Sequence, residues 1–137
     1  MADEISKVAY YLGAIPNKAG EGVKVLSAFQ EAGVNLAGFL GYPKGRKSEV
    51  ILIVDEKAPA AGPVAKKAGL ALGKKGKAFL VNGEDRPGAL AEVMGKISAA
   101  GVNIQTVHAL CAGVGRWGAL ISVEAADLRK AAKALGI

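Results

Sequence analysis

Asp85-Arg86-Pro87-Gly88-Ala89-Leu90 opens a short amphipathic run that closes on Gly101-Val102-Asn103-Ile104. A fainter copy lies upstream, where Asn17-Lys18-Ala19-Gly20 leads to Gly33-Val34-Asn35-Leu36. Gly20 corresponds to Gly88, Gly33 to Gly101 and Asn35 to Asn103, each pair 68 positions apart. A spacing held through a loop, a helix and the residues after it marks one unit written twice. Each copy gathers a polar residue, a glycine and a helix N-terminus, a grouping that suits a small anion or zwitterion.

Outward from these stretches the pattern repeats. Residues 7–14 form an apolar run bounded by Pro16 and Asn17, which predicts a strand. A helix follows over 20–32, with Val25, Leu26 and Phe29 on its apolar face and Gly33 at its C-cap. Residues 35–42 read as strand, 43–47 as turn, 50–54 as buried strand and 58–72 as a second helix weakened by Pro63 and Gly69. The second copy gives strand 77–82, helix 87–100 with Leu90, Val93, Met94 and Ile97 in line, strand 103–110, strand 119–123 and a closing helix 126–135. Past the hairpin the offset grows to 69, a one-residue insertion that fits a turn.

The order strand–helix–strand–strand–helix, twice, predicts an α+β fold of two ferredoxin-like units, residues 1–73 and 74–137, with antiparallel sheets and helices on one face. Within a unit, strands one and three are expected to lie parallel, joined through the first helix and strand two. No fourth strand is visible after Leu135, and one strand lies between the repeats, so each sheet is expected to keep an open edge. A unit of about 70 residues buries only about 60% of its unfolded surface. The units are therefore expected to pack on each other or across a homodimer.

Composition sets looser limits. Hydrophobic residues make up 51% and charged residues 22% of the 137, ordinary values that exclude extensive disorder. The net charge of +6 is spread out except at Lys44-Gly45-Arg46-Lys47 and Lys74-Lys75-Gly76-Lys77, both expected to be solvated loops. Base stacking on a sheet face would want two or three aromatics on adjacent strands. Phe79, Tyr10 and Tyr11 are the strand candidates near one another, and their spacing suits core plus flank, so nucleic acid is not the expected partner. The single cysteine, Cys111, precludes an internal disulfide. The start, Met1-Ala2-Asp3-Glu4-Ile5-Ser6, is acidic and has no signal-like apolar core, and no stretch reaches the ~18 apolar residues of a membrane helix, so a cytoplasmic location is expected.

The Asp-Arg-Pro-Gly loop, the amphipathic helix and the Gly-Val-Asn end, in that order, resemble the ACT domain, the small amino-acid-sensing module attached to enzymes of amino-acid metabolism. The likeness is close over 77–124 and looser over 8–55, where Lys18-Ala19 stands for Arg-Pro. The whole chain resembles a free-standing tandem ACT protein. The resemblance implies a regulatory protein without catalysis or cofactor that holds a free amino acid between neighbouring units and signals to an enzyme or regulator of amino-acid metabolism. It carries ligand contacts onto Asp85, Arg86, Gly88, Ala89, Asn103 and Ile104, and onto Asn17, Gly20, Asn35 and Leu36 in the first copy. Gly83 stands where some members of the family carry a polar side chain facing the ligand.

The same residues allow a physical account of such a site. The first free N–H groups of the helix suit a carboxylate. Asp85 or the Asn17 amide could accept from an amino group, and Asn103 and Asn35 are expected beside the loop with donor and acceptor both. A plainer reading makes Asp85 and Asn17 N-caps and the glycines turn residues. Two other functions compete. Ferredoxin-like acylphosphatases cradle phosphate with a loop arginine and orient water with an asparagine, roles that Arg86 and Asn103 could fill. A basic nucleic-acid or scaffold module is the other. Gly113-Val114-Gly115-Arg116-Trp117-Gly118 matches a dinucleotide motif by letter, but strands flank it on both sides, so a hairpin is expected. The stretch 41–48 lacks the spacing and the helix of a phosphate loop. His108 and Cys111 make neither a metal site nor a catalytic pair, and Glu92 is expected to be solvated.

Overall fold

Gly33 and Gly101 both stand in the left-handed region, at φ 69° and 76°. They end the helices α1 (Glu21–Glu31) and α3 (Ala89–Ala99) as the repeat predicts. Val34 N–H returns to the Phe29 carbonyl at 3.0 Å and Val102 N–H to that of Ile97 at 3.3 Å, the six-to-one closure of a glycine C-cap. At the other end Gly20 and Gly88, at φ 88° and 80°, lead into the same helices. Neither helix start has a side-chain cap, so Asn17 and Asp85 do not act as N-caps.

The computed structural model describes residues 3–55 and 61–137. Its further elements are β1 (Glu4–Pro16), β2 (Gly38–Lys44), β3 (Lys47–Asp55), α2 (Ala61–Lys67), β4 (Gly76–Glu84), β5 (Ile104–Gly113), β6 (Arg116–Val123) and α4 (Leu128–Leu135), the last entered through a 3-10 turn at Ala125–Asp127. β1, β3 and β4 run longer at both ends than apolarity alone indicated, because ladder bonds continue into polar residues, whereas the strand expected from Asn35 begins only at Gly38. The expected 43–47 turn shrinks to Gly45-Arg46, with Lys44 paired to Lys47. The second helix ends at Lys67, since Ala68, Gly69 and Leu70 fold back on the carbonyls of Ala65 and Lys66. Residues 58–60 of that expected helix lie outside the described residues.

The chain divides into two compact units: Ala9–Gly76, and the part up to Val8 together with Lys77–Ile137. The first has strand order β2–β3–β1 and the second β1–β4–β6–β5, so β1 begins in one unit and ends in the other. Each unit is an α+β, ferredoxin-like βαββα arrangement. Two expectations are corrected. Strands one and three of the second unit, β4 and β6, are neighbours but antiparallel, as are β5 and β6; β4 and β5 therefore share a direction with β6 between them. A fourth strand is also present: the beginning of β1 supplies it to the second unit. In the first unit the chain after α2 takes a shorter version of that place, Gly73 N–H donating to the Leu12 carbonyl at 2.8 Å and Gly13 bridging Leu72. Among the described residues β2 and β5 remain the strands with one neighbour.

Alternation along the strands builds the cores. Phe79 and Val81 of β4 and Trp117, Ala119, Ile121 and Val123 of β6 meet Val93 and Ile97 of α3 and Ala131, Ala132 and Leu135 of α4. In the first unit Ile15, Val50 and Leu52 meet Val25 and Phe29 of α1 and Ala61 and Ala65 of α2. Leu26, placed by periodicity on the buried face of α1, is 41% exposed. Among the described residues no helix is long and apolar enough to cross a membrane.

Candidate functional site

The loop 85–88 joins β4 to α3, and its conformation follows from Gly88. Without a Cβ, that residue turns the chain through the left-handed region into the helix, and Glu92 N–H closes the first helical bond on its carbonyl at 3.0 Å. Ala89 N–H reaches the Arg86 carbonyl at 3.3 Å. Beside the loop lies an open recess of about 300 Å³, lined by Asp85, Arg86, residues 88–91, residues 109–111 at the end of β5, and Trp117 of β6. Asp85 N–H is fixed by the Gly115 carbonyl at 2.8 Å, and its carboxylate accepts from the exposed Cys111 thiol at 3.3 Å. The site is thus framed by the loop, the first turn of α3 and the β5–β6 hairpin.

Arg86 does not point its charge into free space. Its two terminal nitrogens take the two carboxylate oxygens of Asp3 at 3.1 Å each, one of them also reaches the Glu84 carbonyl at 3.1 Å, and the other meets Glu92 at 2.9 Å. Trp117 Nε1–H adds a third donor to Asp3, at 3.2 Å. The Asp3 side chain is only 7% exposed. Hydrogen bonds from Arg86 hold its carboxyl below the ordinary aspartate range against the cost of burial, and the same bonds push the guanidinium up. Glu92, expected in solvent, is an ion-pair partner.

The structure brings together Asp85, Arg86, Gly88 and Ala89 of the sequence-derived set, and adds Asp3, Cys111 and Trp117, which sequence reasoning did not place there. It does not bring Asn103 and Ile104 to them. These residues follow the C-terminal end of α3, whose 11 residues span about 16 Å, while the recess meets the far end of β5. The expectation that Asn103 lies beside the loop is corrected: a strand following a helix starts at the end where that helix stops. Asn35 and Leu36 are likewise at the end of α1 away from Asn17 and Gly20. In the first unit the Asn17 amide oxygen accepts from Ser48 at 3.3 Å, tying that loop to the β2–β3 hairpin as Asp85 is tied to the other. A larger groove of about 1060 Å³ runs between α1 and α2, with Gly20 at its edge and Lys24, Glu31 and Lys67 on exposed helix positions.

The remaining motifs resolve simply. Residues 113–118 form the β5–β6 hairpin, with Val114 and Gly115 as its turn. Lys44 is a strand residue bonded to Glu49 at 3.2 Å, and Tyr42 also donates to Glu49, so this basic cluster is not a loop throughout. Those donors lower the Glu49 carboxyl, and the same bond raises the Tyr42 hydroxyl. Among the described residues no three His, Cys, Asp or Glu side chains gather as metal ligands would.

No family model and no curated protein matches this chain by sequence. Solved structures do resemble it. Protein BT0572 from Bacteroides thetaiotaomicron superposes with a TM-score of 0.73 at 20% identity, over 97% of this chain and 88% of that one. The ligand-free regulatory subunit of aspartate kinase from Thermus thermophilus gives 0.69 at 17% identity, over 98% and 95%. E. coli aspartokinase III in complex with aspartate and ADP gives 0.60 at 15%, over 98% of this chain and 32% of the enzyme. At such identities the likeness is one of fold, an α+β arrangement of ferredoxin-like βαββα units.

Proposed function

We propose that this chain is a regulatory module without an active site, which binds a free amino acid or similar small zwitterion at the loop–helix junction of its ACT-like units. The observation that carries this reading is the recess at residues 85–91. An exposed carboxylate, Asp85, stands there at the start of a helix whose Leu90 and Ala91 N–H groups precede the first bond of the helical ladder, made by Glu92. An α-carboxylate suits those N–H groups and the positive end of the helix, and an ammonium suits Asp85. Arg86 is engaged by Asp3 and Glu92, so it frames the pocket rather than clamping the ligand. The resemblance to regulatory subunits of aspartate kinase supports the same reading.

The protein acts in the cytoplasm as a homodimer, on this reading, with the ligand closed in by a neighbouring unit and a change of interface geometry read by an enzyme or regulator of amino-acid metabolism. The second copy is the better site, because its recess is lined by the whole Asp85, Arg86, Gly88 and Ala89 junction, whereas the groove along α1 is lined by Gly20 without Asn17. The hydrolase alternative requires Arg86 and Asn103 to converge, and they flank opposite ends of α3.

A ligand that binds only the folded state raises the melting temperature in proportion to RT ln(1 + [L]/Kd). Thermal melts with each common amino acid at millimolar concentration should show a dose-dependent rise for one or a few of them, lost in Asp85→Ala. A flat response to all of them would remove the proposal. Acyl-phosphate hydrolysis abolished by Arg86→Ala would replace it with the hydrolase reading.

A further inference from the structure

We propose that Gly83, Arg86 and Trp117 form a carboxylate-binding site that the chain fills with its own Asp3, a tethered occupant whose place an external carboxylate takes once the Asp3 side chain is removed. Three features on separate elements converge on the Asp3 carboxylate. The Arg86 guanidinium is bidentate, with both contacts at 3.1 Å, the geometry that matches a planar fork to a carboxylate. The Trp117 indole N–H, a donor with no acceptor capacity, is aimed at Oδ1 at 3.2 Å. At Gly83 of β4 a Cβ would fall 1.8 Å from the same oxygen, so the space exists because that residue has no side chain. A glycine inside a strand marks close approach of another group, and here the group is an anion.

The site belongs to β4, the 85–88 loop and β6, whereas its occupant precedes β1 and is separated from Arg86 by 83 positions. Arg86 and Trp117 also line the recess, so the carboxylate site adjoins it. Tethering gives Asp3 a high effective concentration, and free carboxylates do not compete until it is removed. The chemistry selects a small carboxylate: one flat anion, two parallel donors, one lateral donor and no room for a bulky group beside Gly83. The inference stands apart from amino-acid binding, since it concerns the Asp3 side of Arg86 and holds whether or not the recess takes a ligand.

Trp117 is the only tryptophan in the chain and reports on the site directly. In Asp3→Ala, sodium formate or acetate should raise the melting temperature and change the Trp117 emission, both saturably and beyond sodium chloride at equal ionic strength. The wild type should respond to neither carboxylate, and the double variant Asp3→Ala/Arg86→Ala should lose the response. If Asp3→Ala is unfolded in chloride, circular dichroism with and without formate replaces the melt. Recovery of the folded signal in formate supports the site. Equal behaviour in carboxylate and chloride, or a response that survives removal of Arg86, would overturn it.

Discussion

At the scale of single residues, Gly83 and Asp3 depend on one another. Gly83→Ala places a methyl where the Asp3 oxygen lies, so the variant must expel that carboxylate and leave the Arg86 and Trp117 donors without it. It should lower the urea midpoint clearly in the wild type and only slightly when Asp3→Ala is already present, a strongly non-additive pair. Additive losses would mean that the two residues act independently. The acid response has a definite sign. The folded-state carboxyl of Asp3 lies below its unfolded value of 3.8, so its stabilising effect is complete above that value and fades as pH falls through the depressed folded one. The midpoint difference between wild type and Asp3→Asn should therefore be constant near neutrality and shrink below about pH 4. A difference that widened on acidification would contradict the assignment. None of this was visible in sequence at residue 3, where an aspartate near a chain start looks like any solvated charge. Gly83 did carry a signal, a glycine where some members of the resembling family have a polar side chain, but its place inside β4 came with the structure, and a glycine announces a close approach without naming what approaches.

At the scale of elements, local chemistry was the most readable. Gly33 and Gly101 end helices because the left-handed turn after a helix favours glycine, and Val93 and Ile97 are buried because they sit one turn apart on an apolar stripe. Strand ends and the relation of Asn103 to the loop were not readable, since polar residues join a ladder whenever a partner strand runs beside them. The β5–β6 hairpin shows one local misfit. Val114 and Gly115 both have positive φ, at 59° and 68°, the two-residue turn that favours Asn-Gly. A β-branched residue is strained there, and Val114 is 98% exposed, so no packing offsets the strain. Val114→Asn should stabilise the protein by about 1 kcal/mol, given a left-handed penalty of roughly 1–2 kcal/mol for an ordinary residue. The increase in the denaturant midpoint measures it, and a decrease would show that the turn is held for another reason.

At the scale of the whole molecule, the chain divides into two compact units, and punctuation and core positions that repeat at 68 residues were legible in the sequence. Where each unit obtains its fourth strand was not, since that is a question of pairing partners far apart in sequence. The outcome gives β1 to both units, its first residues bonded beside β4. Truncating the chain to begin at Ala9 should therefore accelerate amide exchange along β4 and quench or shift Trp117 emission, while α1 and β3 in the other unit keep their protection. Uniform loss across both units would indicate a single cooperative fold instead.

That division of β1 also sets an order of events during synthesis. The unit Ala9–Gly76 is continuous and can close once Gly76 has left the ribosome. The other must wait until β4 and the Arg86 loop return to a strand that emerged before all of it. Closure across such a separation is slow compared with local helix formation. A nascent chain halted at Gly76 thus carries residues 4–8 as a strand end without its partner, along with the Asp3 carboxylate that will later hold Arg86. For that interval it is open to pairing with another chain.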